Sequence, residues 1–108
     1  MPNLALLIDT LNYLHEHPEL HDETHWHNGE TGSLAGWVCV RAGAAINGVA
    51  RKQWATYQEK DRGIIDLAIE LLALERADAD AILFNITNRE ATTAARAFIL
   101  EQETKPHE

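Results

Sequence analysis

The most apolar stretch of the chain runs from Ser33 to Ile46, SLAGWVCVRAGAAI, and its one charged residue is Arg41. As a helix it would carry apolar side chains on every face, and such a helix must be surrounded by protein or by lipid. The stretch is shorter than the roughly eighteen apolar residues that span a bilayer, so it predicts a buried central helix. Ser33 is the expected N-cap, and Asn47-Gly48 is the expected C-terminal stop.

Apolar residues recur at helical spacing in the rest of the chain. The first such helix is capped by Asn3 and stopped by Pro18, and Pro18 itself is expected to open a short helical turn. A third helix is expected from about Arg62 to Leu74 with Asp61 as its N-cap, followed by a short helix over Ala77–Phe84. Thr87 and Glu90 match a capping box that opens the last helix.

Residues 49–61 are polar and show no useful β-type alternation, so they are interpreted as an irregular excursion between helices. The predicted fold class is therefore all-α, a compact bundle of four or five helices around the central helix at about 33–46. We expect a single helical domain over 1–102 and a flexible tail over 103–108.

Small residues within the central helix indicate close packing. Gly36 and Gly43 lie two turns apart, and glycine costs helix stability, so their presence suggests that another helix approaches there. We expect Ala35, Gly36, Trp37 and Gly43 to belong to the structural core.

The chain of 108 residues has 17 acidic and 9 basic residues, a net charge of −8. This charge disfavours binding to nucleic acid and to anionic membranes, and favours a protein partner; a homo-oligomer is also compatible with it. The single cysteine, Cys39, excludes an intrachain disulfide and is expected to be a packed side chain in a reducing compartment. The sequence shows neither a signal peptide nor a membrane anchor, so we expect a cytoplasmic protein.

Residues 15–32, which we call the histidine segment, contain five of the 6 histidines. His21 and His25 would share one face of a helix, whereas His25 and His27 would share one side of an extended segment. Either arrangement could hold zinc, although no HExxH or Cys-His spacing is present. The alternatives are a solvated acidic loop in which histidines cap or pack, and a pH sensor.

A second group mixes aromatic and basic residues: Arg51, Lys52, Trp54 and Tyr57. This combination is typical of interface hot spots and of single-stranded nucleic-acid grooves. The acidic remainder of the chain would repel phosphates, so we favour a protein interface over nucleic acid.

Several residues resemble a group of small helical proteins from actinobacteria and their bacteriophages. In that group His-Pro-Glu is followed by a Trp and then by Cys-Gly-Thr-x-x-Cys-x-Ala-Gly-Trp. The matching residues here are His17-Pro18-Glu19, Trp26, Gly29 and Ala35-Gly36-Trp37, while Asn28 and Ser33 replace the two cysteines and Glu30 replaces the threonine. The resemblance implies a compact helical fold and an actinobacterial or phage source, but no activity; a role of the cysteine pair could not operate in this chain.

These features predict a small acidic protein, plausibly encoded by a phage, that acts by docking on another protein. No convincing catalytic set is present, which favours a binding protein without cofactors over an enzyme. One alternative is a zinc-binding protein or metallo-hydrolase that uses the histidines between His15 and His27. Another is an acidic DNA mimic built from the carboxylates of residues 9–30 and 66–90.

Overall fold

The computed structural model describes residues 2–49 and 52–104. Within these ranges the chain forms five α-helices, one 3₁₀ turn and a three-stranded antiparallel sheet. The elements in chain order are α1 (Leu4–Glu16), the 3₁₀ turn (Pro18–Leu20), α2 (Leu34–Arg41), β1 (Ala45–Val49), β2 (Lys52–Tyr57), β3 (Lys60–Arg62), α3 (Ile64–Leu72), α4 (Arg76–Leu83) and α5 (Asn88–Thr104). The fold is therefore mixed α/β, and the prediction of an all-α helical bundle is wrong.

The predicted central helix is only α2, about half as long as expected. Ser33 caps it as predicted, because its Oγ accepts a hydrogen bond from the backbone N–H of Gly36 at 3.1 Å. The helix ends at Arg41, and Gly43 follows in the left-handed region with φ +100°. Glycine adopts this conformation without steric cost, so the chain turns there into β1. Asn47-Gly48 therefore lies inside a strand and does not terminate the helix.

The first six residues of α2, Leu34 to Cys39, are all buried. The helix lies between α1 and α3, and β1 follows it directly. Gly36 permits a close approach, but the neighbour is the backbone of Trp26 and not another helix: a Cβ at Gly36 would lie 1.9 Å from the Trp26 carbonyl oxygen. Gly43 is exposed, with nothing within 4 Å of a Cβ placed there, so the expectation that it packs in the core is corrected.

The segment predicted to be irregular forms the sheet. β1 pairs with β2 and β2 pairs with β3, both antiparallel. Gln58 and Glu59 join β2 to β3 with φ of 49° and 67°, the pattern of a two-residue type I′ hairpin turn. One face of the sheet packs on the core through Ala55, which is fully buried, and through Ile46 and Tyr57.

The remaining helix boundaries lie close to those predicted. Asn3 caps α1, and Thr87 Oγ1 accepts the Glu90 backbone N–H at 3.2 Å, which confirms the hydroxyl half of the capping box. The Glu90 carboxylate accepts from the Thr87 hydroxyl at 2.8 Å. The expected N-cap of α3, Asp61, instead lies in β3, and Gly63 occupies the cap position. Helix α5 continues to Thr104, past the expected start of the tail, and 105–108 lie outside the described residues.

Candidate functional site

The histidine segment is held against the helices by hydrogen bonds to its backbone. The Asn88 side chain, at the start of α5, donates to the His21 carbonyl at 2.6 Å and accepts from the Glu23 N–H at 2.9 Å. The Trp37 indole N–H of α2 donates to the Leu20 carbonyl at 2.9 Å. These contacts give the segment a defined conformation, although it contains little regular structure.

A buried carboxylate, Glu23, connects the segment to the start of α2. Its side chain is 2% exposed, and its Oε2 accepts the backbone N–H of Leu34 at 2.6 Å. The same oxygen lies 2.6 Å from Nε2 of His21, whose side chain is also buried. A carboxylate at a helix N-terminus satisfies an otherwise free N–H and interacts favourably with the helix dipole.

The other two predicted ligands have partners of their own. Nε2 of His25 lies 2.8 Å from Oγ1 of Thr31. Nδ1 of His27 accepts the Gly29 N–H at 3.0 Å, and its ring meets that of Trp37 edge to face at 4.6 Å between centroids. Nε2 of His27 is buried and has no hydrogen-bond partner among the residues that the structure describes. Burial lowers the pKa of His27, and the nearby His25 lowers it further.

The structure does not bring His21, His25 and His27 together as a ligand set. No helix carries His21 and His25 at i, i+4, because the residues between them form turns and bends. Over 2–49 and 52–104 no group of three or more histidine, cysteine, aspartate or glutamate side chains could hold a metal ion. The zinc alternative gains no support from this geometry and stays a prediction.

The predicted aromatic pair is divided between the two faces of the sheet. Trp54 and Tyr57 are three residues apart in β2, and neighbouring side chains in a strand point to opposite faces. Tyr57 lies on the face that packs on the core, whereas Trp54 is 42% exposed on the other face. Lys52 lies on the same face as Trp54 and is exposed, and Arg51 lies outside the described residues.

We call the face that carries Trp54 the outer face of the sheet. The cross-strand pairs on this face are Ala45 with Thr56, Asn47 with Trp54, Val49 with Lys52, and Thr56 with Asp61. Val49 is 79% exposed and is the most exposed of the large apolar side chains in the described ranges. The outer face therefore presents an aromatic and an aliphatic side chain to solvent. Val49 was not predicted to contribute to a surface because residues 49–61 were interpreted as an irregular segment.

The carboxylates proposed to mimic DNA are partly neutralised by ion pairs. Asp9 accepts two hydrogen bonds from the Arg41 guanidinium, at 2.9 and 3.1 Å, and this contact lowers the pKa of Asp9. Asp80 pairs with Arg76 at 3.1 Å. Together with the burial of Glu23, these contacts reduce the free negative charge that a nucleic-acid-binding protein could meet.

A groove that the sequence did not reveal lies between α1, the 3₁₀ turn and the first half of α5, with a volume of about 460 Å³. Its lining residues are Leu11, Leu14, His15, Pro18, His21, Asn88, Arg89, Thr92, Thr93 and Arg96. Of His21, His25 and His27 only His21 lines the groove, together with His15 of the same histidine segment. None of the α5 residues that line the groove was predicted to belong to a site.

No helix in the described part of the chain is both long enough and apolar enough to cross a membrane. Protein-family models, curated proteins and solved structures were all compared with the chain, and none matches it. The resemblance to actinobacterial and phage proteins stays a prediction, and function has to be argued from the geometry of this molecule.

Proposed function

We propose that the protein is a cytoplasmic binding module that docks on a partner protein through the outer face of its sheet. The observation that carries the proposal is Trp54, which is 42% exposed on that face and pairs with Asn47 of β1. An exposed tryptophan on a regular scaffold is the side chain most enriched among interface hot spots. It offers a large apolar surface with few rotatable bonds, so little conformational entropy is lost on binding.

The backbone around Trp54 supports a preformed contact surface. Trp54 belongs to the middle strand, which is paired on both sides, and Ala55 beside it is fully buried. Gly48 of β1 has φ +81°, and a Cβ there would meet the Lys52 carbonyl oxygen and come within 3.0 Å of the Trp54 ring. The indole therefore lies close over a strand that lacks a side chain at this point. Its position is fixed before a partner arrives.

Two groups that could supply catalysis are engaged elsewhere. Cys39 is buried, and desolvation raises the pKa of its thiol to about 12, so it is poorly suited to act as a nucleophile. Nε2 of His21 is occupied by a buried carboxylate. These contacts support a binding protein over an enzyme.

Affinity enrichment from an actinobacterial lysate, quantified by mass spectrometry, tests the proposal. The variants are Trp54→Ala and, as a matched control, Ile86→Ala, because Ile86 is 78% exposed but lies in the connection between α4 and α5. A partner recovered by the wild type and by Ile86→Ala should be reduced by about tenfold or more with Trp54→Ala. Equal recovery with all three proteins would overturn docking through this face.

Sedimentation equilibrium tests separately whether the partner is a second copy of the chain. If copies associate through the outer face, Trp54→Ala should shift the wild-type dimer to monomer, whereas Ile86→Ala should not. A dimer that is unaffected by Trp54→Ala would contradict self-association through this face.

A further inference from the structure

We propose that the groove between α1 and α5 binds a small organic oxyanion, a phosphate or carboxylate, that carries an apolar tail. The groove uses no residue of the outer sheet face, so this site is independent of the docking proposed above. Its volume of about 460 Å³ lies in the range of small-molecule sites.

The arginines of the described residues differ in whether they form ion pairs. Three of the five in the described ranges, Arg41, Arg62 and Arg76, form ion pairs with carboxylates. The other two, Arg89 and Arg96, form no ion pair with a described residue, and both line this groove. A chain with 17 acidic residues has many carboxylates that could have paired with them. Two unpaired guanidiniums facing one groove are suited to bidentate recognition of an oxyanion.

The geometry of α5 allows both arginines to reach one anion. They are seven residues apart, which is two helical turns and about 10 Å along the axis, so both point to the same side. The hydroxyls of Thr92 and Thr93 line the groove between them and can donate hydrogen bonds. The groove also includes Asn88 at the N-terminal end of the helix, where the helix dipole favours negative charge.

The side of the groove opposite the arginines is apolar, and the depression continues along α1 and α5. Leu11 and Leu14 of α1 line the groove. A second depression of about 300 Å³ shares Leu11 and Arg96 with the first and is bounded by Ile8, Asn12, Ile99, Leu100 and Glu103. Leu100 is 63% exposed there. Because the cationic and apolar parts adjoin, the best-fitting ligand has an anionic head near the arginines and an alkyl or aryl tail toward Leu100.

Isothermal titration calorimetry with octyl phosphate and with octanoate, both below their micellar concentrations, tests the site. We expect at least one of them to bind the wild type saturably, and the tighter one identifies phosphate or carboxylate as the head group. Arg89→Gln/Arg96→Gln should weaken this binding by about tenfold or more. Lys52→Gln/Lys60→Gln changes the net charge equally away from the groove and should leave the affinity unchanged. Binding by neither probe, or equal weakening in both double variants, would overturn the proposal.

A second pair of variants tests the apolar part. Leu100→Asn should weaken the octyl ligand, whereas Ile86→Asn, an equally polar change at another exposed side chain, should not. Octanol that binds the wild type as tightly as the two anions would refute the role of the arginines. Identical affinities of Leu100→Asn and Ile86→Asn would refute the placement of the tail. Circular dichroism spectra of all variants establish that they remain folded.

Discussion

Replacing Glu23 by alanine should destabilise the protein strongly, although the residue lies in an irregular segment. Oε2 of Glu23 accepts from the Leu34 N–H and lies at hydrogen-bonding distance from Nε2 of His21, both at 2.6 Å, and the side chain is 2% exposed. Hydrogen bonds to a charged group contribute about 1.5–3 kcal/mol each, and alanine leaves both partners without an acceptor. The expected loss in the free energy of unfolding is therefore about 3–6 kcal/mol, a large part of the stability of a small domain.

Urea denaturation followed by circular dichroism measures this loss. Glu19→Ala is the matched control, since Glu19 is in the same segment but its side chain is 67% exposed and its nearest ion-pair contact, with His17, is 3.8 Å long. We expect the control to lie within about 0.5 kcal/mol of the wild type. Glu23→Gln should fall between the two, because its amide oxygen can still accept one of the hydrogen bonds. A loss below about 1 kcal/mol for Glu23→Ala would refute the assignment of this carboxylate as the link between the segment and α2.

Three further predictions concern buried groups. Gly36→Ala should lower the melting temperature more than Gly43→Ala. A Cβ at Gly36 would lie 1.9 Å from the Trp26 carbonyl oxygen, whereas a Cβ at Gly43 meets nothing within 4 Å and causes only backbone strain at φ +100°. Equal losses in melting temperature would contradict the close approach at Gly36. The free energy of unfolding should fall as the pH decreases below about 6.5, because the pKa of His27 is lowered in the fold and the unfolded chain takes up the proton first. His27 can contribute a slope of at most about 1.4 kcal/mol per pH unit. His27→Gln should flatten this profile, and an unchanged slope would refute the role of His27. Cys39 should react with a thiol reagent only at the rate of unfolding, since it is fully buried and its pKa is raised to about 12; rapid labelling of the native protein would show that it is accessible.

Local signals in the sequence located the starts of α1, α2 and α5. Asn3, Ser33 and the Thr87–Glu90 box each mark a helix start that the structure confirms. These signals work because a cap is a contact between residues three apart, so it depends little on the rest of the fold.

The sheet could not be predicted for two reasons. The apolar run up to Ile46 continues without a break from α2 into β1, and Ala and Gly occupy the turn between them, so composition does not separate helix from strand. The β2–β3 turn uses Gln58 and Glu59 with positive φ, without the Asn or Gly that usually marks such a hairpin. Pairing between neighbouring strands, which the preferences of single residues do not encode, decides the structure at both places.

The candidate sites illustrate a second limit of sequence reasoning. The spacing of the histidines predicted a shared metal site, yet the fold gives each imidazole of the predicted ligand set a different environment. Arg89 and Arg96 are unremarkable in the sequence and become a candidate site only because α1 lies opposite them and no carboxylate of residues 2–49 and 52–104 pairs with them. Such juxtapositions depend on helix packing, which spacing along one chain does not contain.

The solvent exposure of Trp54 is the most direct test of the proposed docking surface. Fluorotryptophan labelling gives one fluorine NMR signal for each of the 3 tryptophans, and substitution of each residue assigns them. We predict that the Trp54 signal shows the largest shift between light and heavy water in the free protein, while that of Trp37, which is 6% exposed, shows little. A Trp54 signal as insensitive to the solvent as that of Trp37 would mean that the outer face is already covered, and docking through it would be contradicted.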